Sequence, residues 1–320
     1  MADILRRNTA IDTNGHIVNG KTVDIHITDD GSSFYFAICA VMGTVGLGVL
    51  ASSLMKPRTH RVFFYITAAV NITAAVAYFS MGSNLGWTPI DVEFVRSDSK
   101  VAGMNREIFY ARYIDWFVTT PLLIMDLLLT AGLPWTTIIW TIFLDEVMIV
   151  TGLVGALVST SYKWGYFAAG TAAMFGIFYN LAIHGRKSAA HLGTDVVRTY
   201  TICGVLTLFI WLLYPIAWGI SEGGNLISPD GEAVFYGILD LIAKPVFSIA
   251  LIFGHWNIDP ARMGLVLRDY DSDPDYFHIA KSGGHGEKNG LGNGTAHDAV
   301  ADDQGGPSAS GGAAAEADKV

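Results

Sequence analysis

Seven apolar runs of roughly 20 residues each, separated by polar connections, constrain this chain more than any other feature of its sequence. Twenty residues of helix rise about 30 Å, the thickness of a bilayer's hydrocarbon core. In that core a segment must satisfy its own backbone N–H and C=O groups, so runs of this length are read as membrane-spanning helices. They cover about residues 34–55, 62–86, 107–131, a stretch from the Gly132-Leu-Pro134 turn to near Val158, then 164–184, 199–221 and 232–256. Composition points the same way. Hydrophobic residues make up 51% of the chain and charged residues 15%, with a mean hydropathy of +0.39, which excludes an ordinary soluble globule. The expected fold is an all-α membrane protein, a seven-transmembrane-helix bundle over 34–256. An exposed N-terminal tail (1–33) precedes it and a C-terminal tail (257–320) follows.

Orientation follows from basic residues in the short connections. The first–second connection holds Lys56, Arg58 and Arg61, and the fifth–sixth holds Arg186, Lys187 and Arg198. The fourth–fifth has only Lys163, and the sixth–seventh has none. Between the second and third runs, Arg96, Lys100 and Arg106 are offset by Asp91, Glu93 and Asp98. The N-terminus is therefore expected outside and the C-terminus in the cytoplasm. The first 30 residues lack an apolar h-region, so the first helix is expected to serve as its own targeting signal. From about Ser282 the tail turns to Gly, Ala, Asp, Ser and Asn and reads as disordered. Cys39 and Cys203 lie inside apolar runs, where small buried thiols are ordinary. The net charge of −9 lies largely in the tails, and nothing suggests nucleic-acid or metal binding.

Ionisable residues at depth concentrate in the third, fourth and seventh runs. Such residues are expensive in a bilayer and mark functional paths. In the seventh, Asp240 and Lys244 are four residues apart, one turn along one helix face. The pair reads either as a structural ion pair or as an amine poised to form a Schiff base with a carbonyl compound. In the third, Arg112 and Asp115 are three apart, and Thr119 follows four later. Asp126 lies eleven residues beyond Asp115, on the same face and about 16 Å further along the axis. Two carboxylates at different depths on one face are a proton relay's geometry. Arg112 is expected to help keep Asp115 and Asp240 ionised. The neighbours of Asp126 in sequence are Leu, Ile and Met, which suits a carboxyl that rests protonated and acts as a donor. Asp145 and Glu146 sit in the fourth run. Glu222 and Glu232, in and after the sixth–seventh connection, read on their own as solvated loop carboxylates. Trp211, Tyr214 and Trp218 form a helical stripe, read either as lipid-belt and packing material or as the wall of a slot for a flat conjugated ligand. Pro215 makes that helix a candidate moving part.

The run Ala111-Arg-Tyr-Ile-Asp-Trp-Phe-Val-Thr-Thr-Pro-Leu-Leu-Ile-Met-Asp126 closely resembles the third helix of microbial (type I) rhodopsins. Leu239-Asp-Leu-Ile-Ala-Lys-Pro245 is similar to their retinal-binding seventh helix. Trp211-Leu-Leu-Tyr-Pro-Ile-Ala-Trp218 and Thr151-Gly-Leu-Val-Gly-Ala-Leu157 resemble their sixth and fourth. The resemblance spans about residues 34–256 and is closest to the fungal, Leptosphaeria-type branch of bacteriorhodopsin-like proton pumps.

It implies all-trans retinal bound covalently to Lys244, with Asp115 as counterion and proton acceptor and Asp240 as second counterion. The triplet Asp115, Thr119, Asp126 is that of outward proton pumps, with Asp126 as cytoplasmic donor. Arg112, Glu222 and Glu232 resemble the extracellular release group. Tyr78, Trp116, Thr119, Thr120, Leu123, Met148, Gly152, Phe167, Met174, Trp211, Tyr214 and Trp218 would line or adjoin the chromophore, with Asp145 towards its ring end. Phe167 stands where haloarchaeal pumps carry tryptophan, Asn71 where they have proline, and Glu146 where a small residue is expected.

The function so implied is light-driven outward proton transport in a multi-pass protein of the plasma membrane, not enzyme catalysis. Its partners would be lipid and protons, with room for a homo-oligomer and for a cytoplasmic partner of the C-terminal tail. One alternative is a sensory photoreceptor with a slow photocycle and little net transport. Another is a retinal-free seven-helix relative in which Lys244 is only an ion-pair partner.

Overall fold

The structure is a computed structural model and describes residues 8–266 and Asp269. The disordered tail expected from about Ser282 lies outside the described residues.

Among the described residues, seven helices are long and apolar enough to cross a membrane: Asp29–Ser53, Val62–Gly82, Tyr110–Thr130, Trp135–Leu157, Lys163–Leu192, Thr194–Gly223 and Pro229–His255. Consecutive helices pack side by side, and the first also packs on the seventh, so the bundle closes into a ring. The third is the most deeply buried. Two helices start earlier than their apolar runs because polar residues cap them. Thr28 Oγ1 accepts the Asp30 N–H at 3.2 Å ahead of the first, where Asp29 and Asp30 complement the helix dipole. Ser228 caps the seventh, with Pro229 in its first turn.

Burial is distributed as a bilayer demands. Phe143, Phe209, Ile139 and Phe253 face outwards, while Arg112, Asp115, Asp126, Asp145, Glu222, Glu232, Asp240 and Lys244 are all buried. An apolar exterior of this extent is satisfied only by lipid. The chain is a multi-pass integral membrane protein.

Three helices contain a π-helical turn: Asn180–Gly185, Gly219–Gly223 and Ile242–Val246. The last holds Lys244 and Pro245, and proline's missing N–H disrupts the ordinary ladder at that point. In the fifth helix the Tyr200 hydroxyl donates to the Leu181 carbonyl at 2.7 Å, a side-chain insertion of the kind that deforms helices. A Cβ on Gly185 would collide with that hydroxyl, so glycine is required there.

One end of the bundle is covered. Strands Thr88–Asp91 and Asn105–Ile108 form an antiparallel hairpin between the second and third helices. The N-terminal segment forms a short helix (Ala10–Asn14) and a small hairpin, Ile17–Val18 with Lys21–Thr22. It then lies along the larger hairpin, where Ile25 pairs parallel to Arg106 and Val23 and Ile27 are buried. This corrects the reading of residues 1–33 as an exposed tail. From Asn8 on, the segment is an ordered strap, and the helix begins at Asp29.

Candidate functional site

Lys244 Nζ lies at the centre of the bundle, 2.8 Å from Asp115 Oδ2 and 2.9 Å from Asp240 Oδ1. Removing one partner of a buried ion pair typically costs 3–5 kcal/mol, so the three groups form a mutually dependent unit. One cation against two carboxylates leaves negative charge to be answered. Tyr78 and Tyr214 hydroxyls answer it, donating to Asp240 Oδ2 at 2.7 Å and Oδ1 at 2.6 Å. Asp115 Oδ1 has no partner among the described residues. Thr119 turns back on its own helix and donates to the Asp115 carbonyl at 2.8 Å.

Lys244 lies in the wall of a cavity with about 770 Å³ of atom-free space, counting its mouth. Trp116, Thr120, Leu123, Met148, Gly152, Phe167, Met174, Trp211, Tyr214 and Trp218 line it with Lys244. Tyr113, Ile149, Tyr166, Gly170, Thr171, Pro215, Tyr236, Asp240 and Ala243 complete it. Trp211, Tyr214 and Trp218 thus face the cavity, in keeping with the second of the two readings of their stripe. Tyr78 and Thr119 are outside the lining but adjoin it: Tyr78 donates to Asp240, a lining residue, and Thr119 precedes Thr120 on the third helix. Phe167 stacks on Trp218 with ring centroids 5.2 Å apart. Thr120 donates to Asp145 Oδ2 at 2.7 Å, fixing that carboxyl just behind the wall.

Towards the hairpin end, Arg112 donates to Glu222 Oε1 at 3.1 Å, to Glu232 Oε1 at 2.5 Å and to the Tyr35 hydroxyl at 2.9 Å. Arg106 donates to Glu232 Oε2 at 2.7 Å. Glu222 also receives the hydroxyls of Tyr113 at 3.1 Å, Tyr236 at 3.0 Å and Ser221 at 2.7 Å. Lys163 Nζ donates to the Glu222 carbonyl at 2.7 Å. One expectation changes here. Glu222 and Glu232 are buried, not solvated loop carboxylates, because helical turns carry them into the bundle. Arg112 gives its terminal nitrogens to these glutamates and to Tyr35, with no hydrogen bond to Asp115 or Asp240 among the described residues.

Towards the other end, Asp126 is fully buried. Thr67 Oγ1 donates to its Oδ2 at 3.1 Å, and Oδ1 has no partner among the described residues. Asn71 bridges the second and seventh helices, donating to Ser248 Oγ at 2.6 Å and to the Thr67 carbonyl at 2.9 Å. Thr130 donates to the Asp126 carbonyl at 2.6 Å and lies 3.1 Å from His255 Nε2.

A family model described as bacteriorhodopsin-like protein matches residues 30–258. The chain belongs to the bacteriorhodopsin-like family. Among known relatives of this microbial rhodopsin, the opsin-like protein carO of Fusarium fujikuroi is 60% identical over 293 residues, covering 90% of this chain and 95% of the relative. Two solved structures similar to it are light-driven proton pumps. The rhodopsin of Coccomyxa subellipsoidea is 35% identical over 72% of this chain and 98% of its own, with a TM-score of 0.67. The Leptosphaeria maculans pump is 33% identical over 73% and 100%, with a TM-score of 0.69.

Sequence reasoning missed Thr67, Asn71's bridging role, Tyr35, Arg106 and Lys163 as members of this rhodopsin's polar column. Arg106 and Lys163 were visible only as loop cations used for orientation. Their burial depends on the hairpin and the strap folding back over the bundle, which no local pattern announces.

Proposed function

We propose that this rhodopsin is a light-driven outward proton pump of the plasma membrane, with retinal bound to Lys244. The observation that carries the reading is Lys244 Nζ held between Asp115 and Asp240 at the wall of an aromatic cavity, with Asp126 buried deeper on the helix that carries Asp115. Members of the family hold retinal through a lysine Schiff base. The cavity suits such a group, being apolar, walled by tryptophans and ending at an amine. When bound, retinal supplies a light-driven isomerisation that redirects the nitrogen on Lys244 and changes its hold on a proton. The likeness to two structures described as light-driven proton pumps supports proton transport.

The chain's own residues then act in order along the column, with the hairpin end taken as outside. Asp115, 2.8 Å from Nζ, accepts the proton given up at that atom. Asp240 stays in place, held by Tyr78 and Tyr214, and keeps the site's charge and geometry fixed. Neutralising Asp115 weakens its pull on the cationic groups towards the outside, and the Arg112–Glu222–Glu232 cluster sheds a proton to that side. Asp126 supplies the replacement proton to Nζ and refills from the cytoplasm. Leu123 and Leu127, close to Asp126 along the third helix, belong to a buried apolar core that excludes water and keeps the two half-paths separate at rest.

In a lightly buffered suspension of expressing cells given all-trans retinal, illumination is expected to acidify the medium, and a protonophore to abolish the effect. A visible pigment with no light-dependent pH change would overturn transport and leave a sensory photoreceptor.

A further inference from the structure

We propose that Glu107 is a further proton-holding residue of the exit, standing between the Arg112–Glu222–Glu232 cluster and the outside, beneath the N-terminal strap. The proposal rests on the pump reading and deepens it.

Glu107 belongs to the hairpin strand Asn105–Ile108 and is buried, with 1% of its surface exposed. Its Oε2 accepts the Ile27 N–H at 2.9 Å. Its Oε1 is buried with no partner among the described residues. A buried carboxylate with one oxygen unpaired by protein is costly, and a proton on that oxygen reduces the cost. The strap seals the site. Ile25 N–H donates to the Asn105 carbonyl at 3.1 Å, and Glu107 N–H donates to the Ile25 carbonyl at 2.9 Å.

The groups around Glu107 argue for a proton rather than a fixed charge. Arg106, its strand neighbour, gives its terminal nitrogens to Glu232 and to the Ile227 carbonyl. From the seventh helix come Glu232 and Asp230, both acidic, and from the first comes Tyr35. From the strap comes the Ile27 N–H. Burial raises Glu107 to about 8; the Ile27 N–H opposes the shift, Glu232 adds to it, Arg106 opposes it and Asp230 adds to it. At neutral pH the residue therefore holds a proton close to the medium. The step is a simple transfer. The O–H bond of Glu107 breaks, water outside takes the proton, and the carboxylate is refilled by a proton from the inner cluster.

The test uses the full chain with retinal, as wild type, Glu107→Gln and Glu107→Asp. Flash excitation with a pH dye reads proton appearance, and a dark-state infrared titration reads protonated carboxyl groups. Glutamine keeps an oxygen for the Ile27 N–H, so a role confined to holding the strap predicts that Glu107→Gln is silent. The proposal predicts that wild type loses prompt release and a carboxyl C=O band through one inflection near external pH 8. Glu107→Gln is expected to lack both at every pH while retaining visible absorbance, and Glu107→Asp to restore them with the inflection displaced. Wild-type release and infrared inflection persisting in Glu107→Gln would overturn the proposal and leave the pump reading standing. A wild type that absorbs light but releases no proton would overturn both.

Discussion

On the hairpin side of Lys244, two arginines, two glutamates, three tyrosines and a serine interlock through hydrogen bonds. On the other side, Asp126 has one side-chain hydrogen-bond partner among the described residues, the Thr67 hydroxyl at 3.1 Å, and its neighbours along the helix, Leu123, Ile124, Leu127 and Leu128, belong to the buried apolar core. On the proposed pump reading, this difference is how one bundle would move a proton one way. A crowded network responds to a change of charge at Asp115 by redistributing bonds it already has. A carboxyl among leucines has no such route and exchanges its proton only when the bundle opens. The devices for opening are in the sixth and seventh helices, where Pro215 and Pro245 are accompanied by π turns.

Mutations can break or sharpen this contrast. The largest effect is expected from Lys244→Ala, which removes the point where the two sides meet; absorbance spectra after adding all-trans retinal should show no stable visible pigment. Asp115→Asn removes the acceptor at the head of the exit side. Net light-driven transport into or out of vesicles should fall by at least about 10²-fold, the scale of a lost positioned acid or base. On the other side, Asp126→Asn should slow recovery of the dark state in flash photolysis by about 10²-fold, with a rate that now follows bulk pH. Thr67→Val tests how little supports that carboxyl. Losing one neutral hydrogen bond, about 1 kcal/mol, should change the reprotonation rate by only about fivefold.

The hairpin side also carries a pH dependence of stability. Glu107 is raised from 4.5 to about 8, so between those values the folded protein binds more protons than the unfolded chain. Stability contributed by this residue is therefore present at the acid end and lost as pH rises towards about 8. Glu107→Gln should flatten that part of a plot of Tm against pH in detergent.

The bundle was legible because hydrophobic length and buried charge are local properties. Asp115 and Asp126, eleven residues apart, were placed on one face by helical period alone, and Asp240 and Lys244 by their four-residue spacing. Resemblance supplied most of the cavity lining, with Tyr78 and Thr119 the exceptions. What stayed hidden depends on chain segments far apart in sequence. Arg106 meets Glu232 across 126 residues, and Thr67 meets Asp126 across 59. Arg112 is a neighbour of Asp115 on one helix, but that its guanidinium reaches glutamates on two other helices is not visible in local spacing. The strap was unreadable for a similar reason: its polar sequence resembles a free tail until Val23 and Ile27 find the hairpin.

The most direct test of outward transport is the change of external pH on illuminating cells that express the retinal-loaded protein, compared with cells expressing Asp126→Asn. Prompt, protonophore-sensitive acidification by the wild type, strongly slowed at steady state in the variant, is the predicted result. Alkalinisation, or a wild-type pigment that bleaches and recovers with no proton appearing outside, would contradict it.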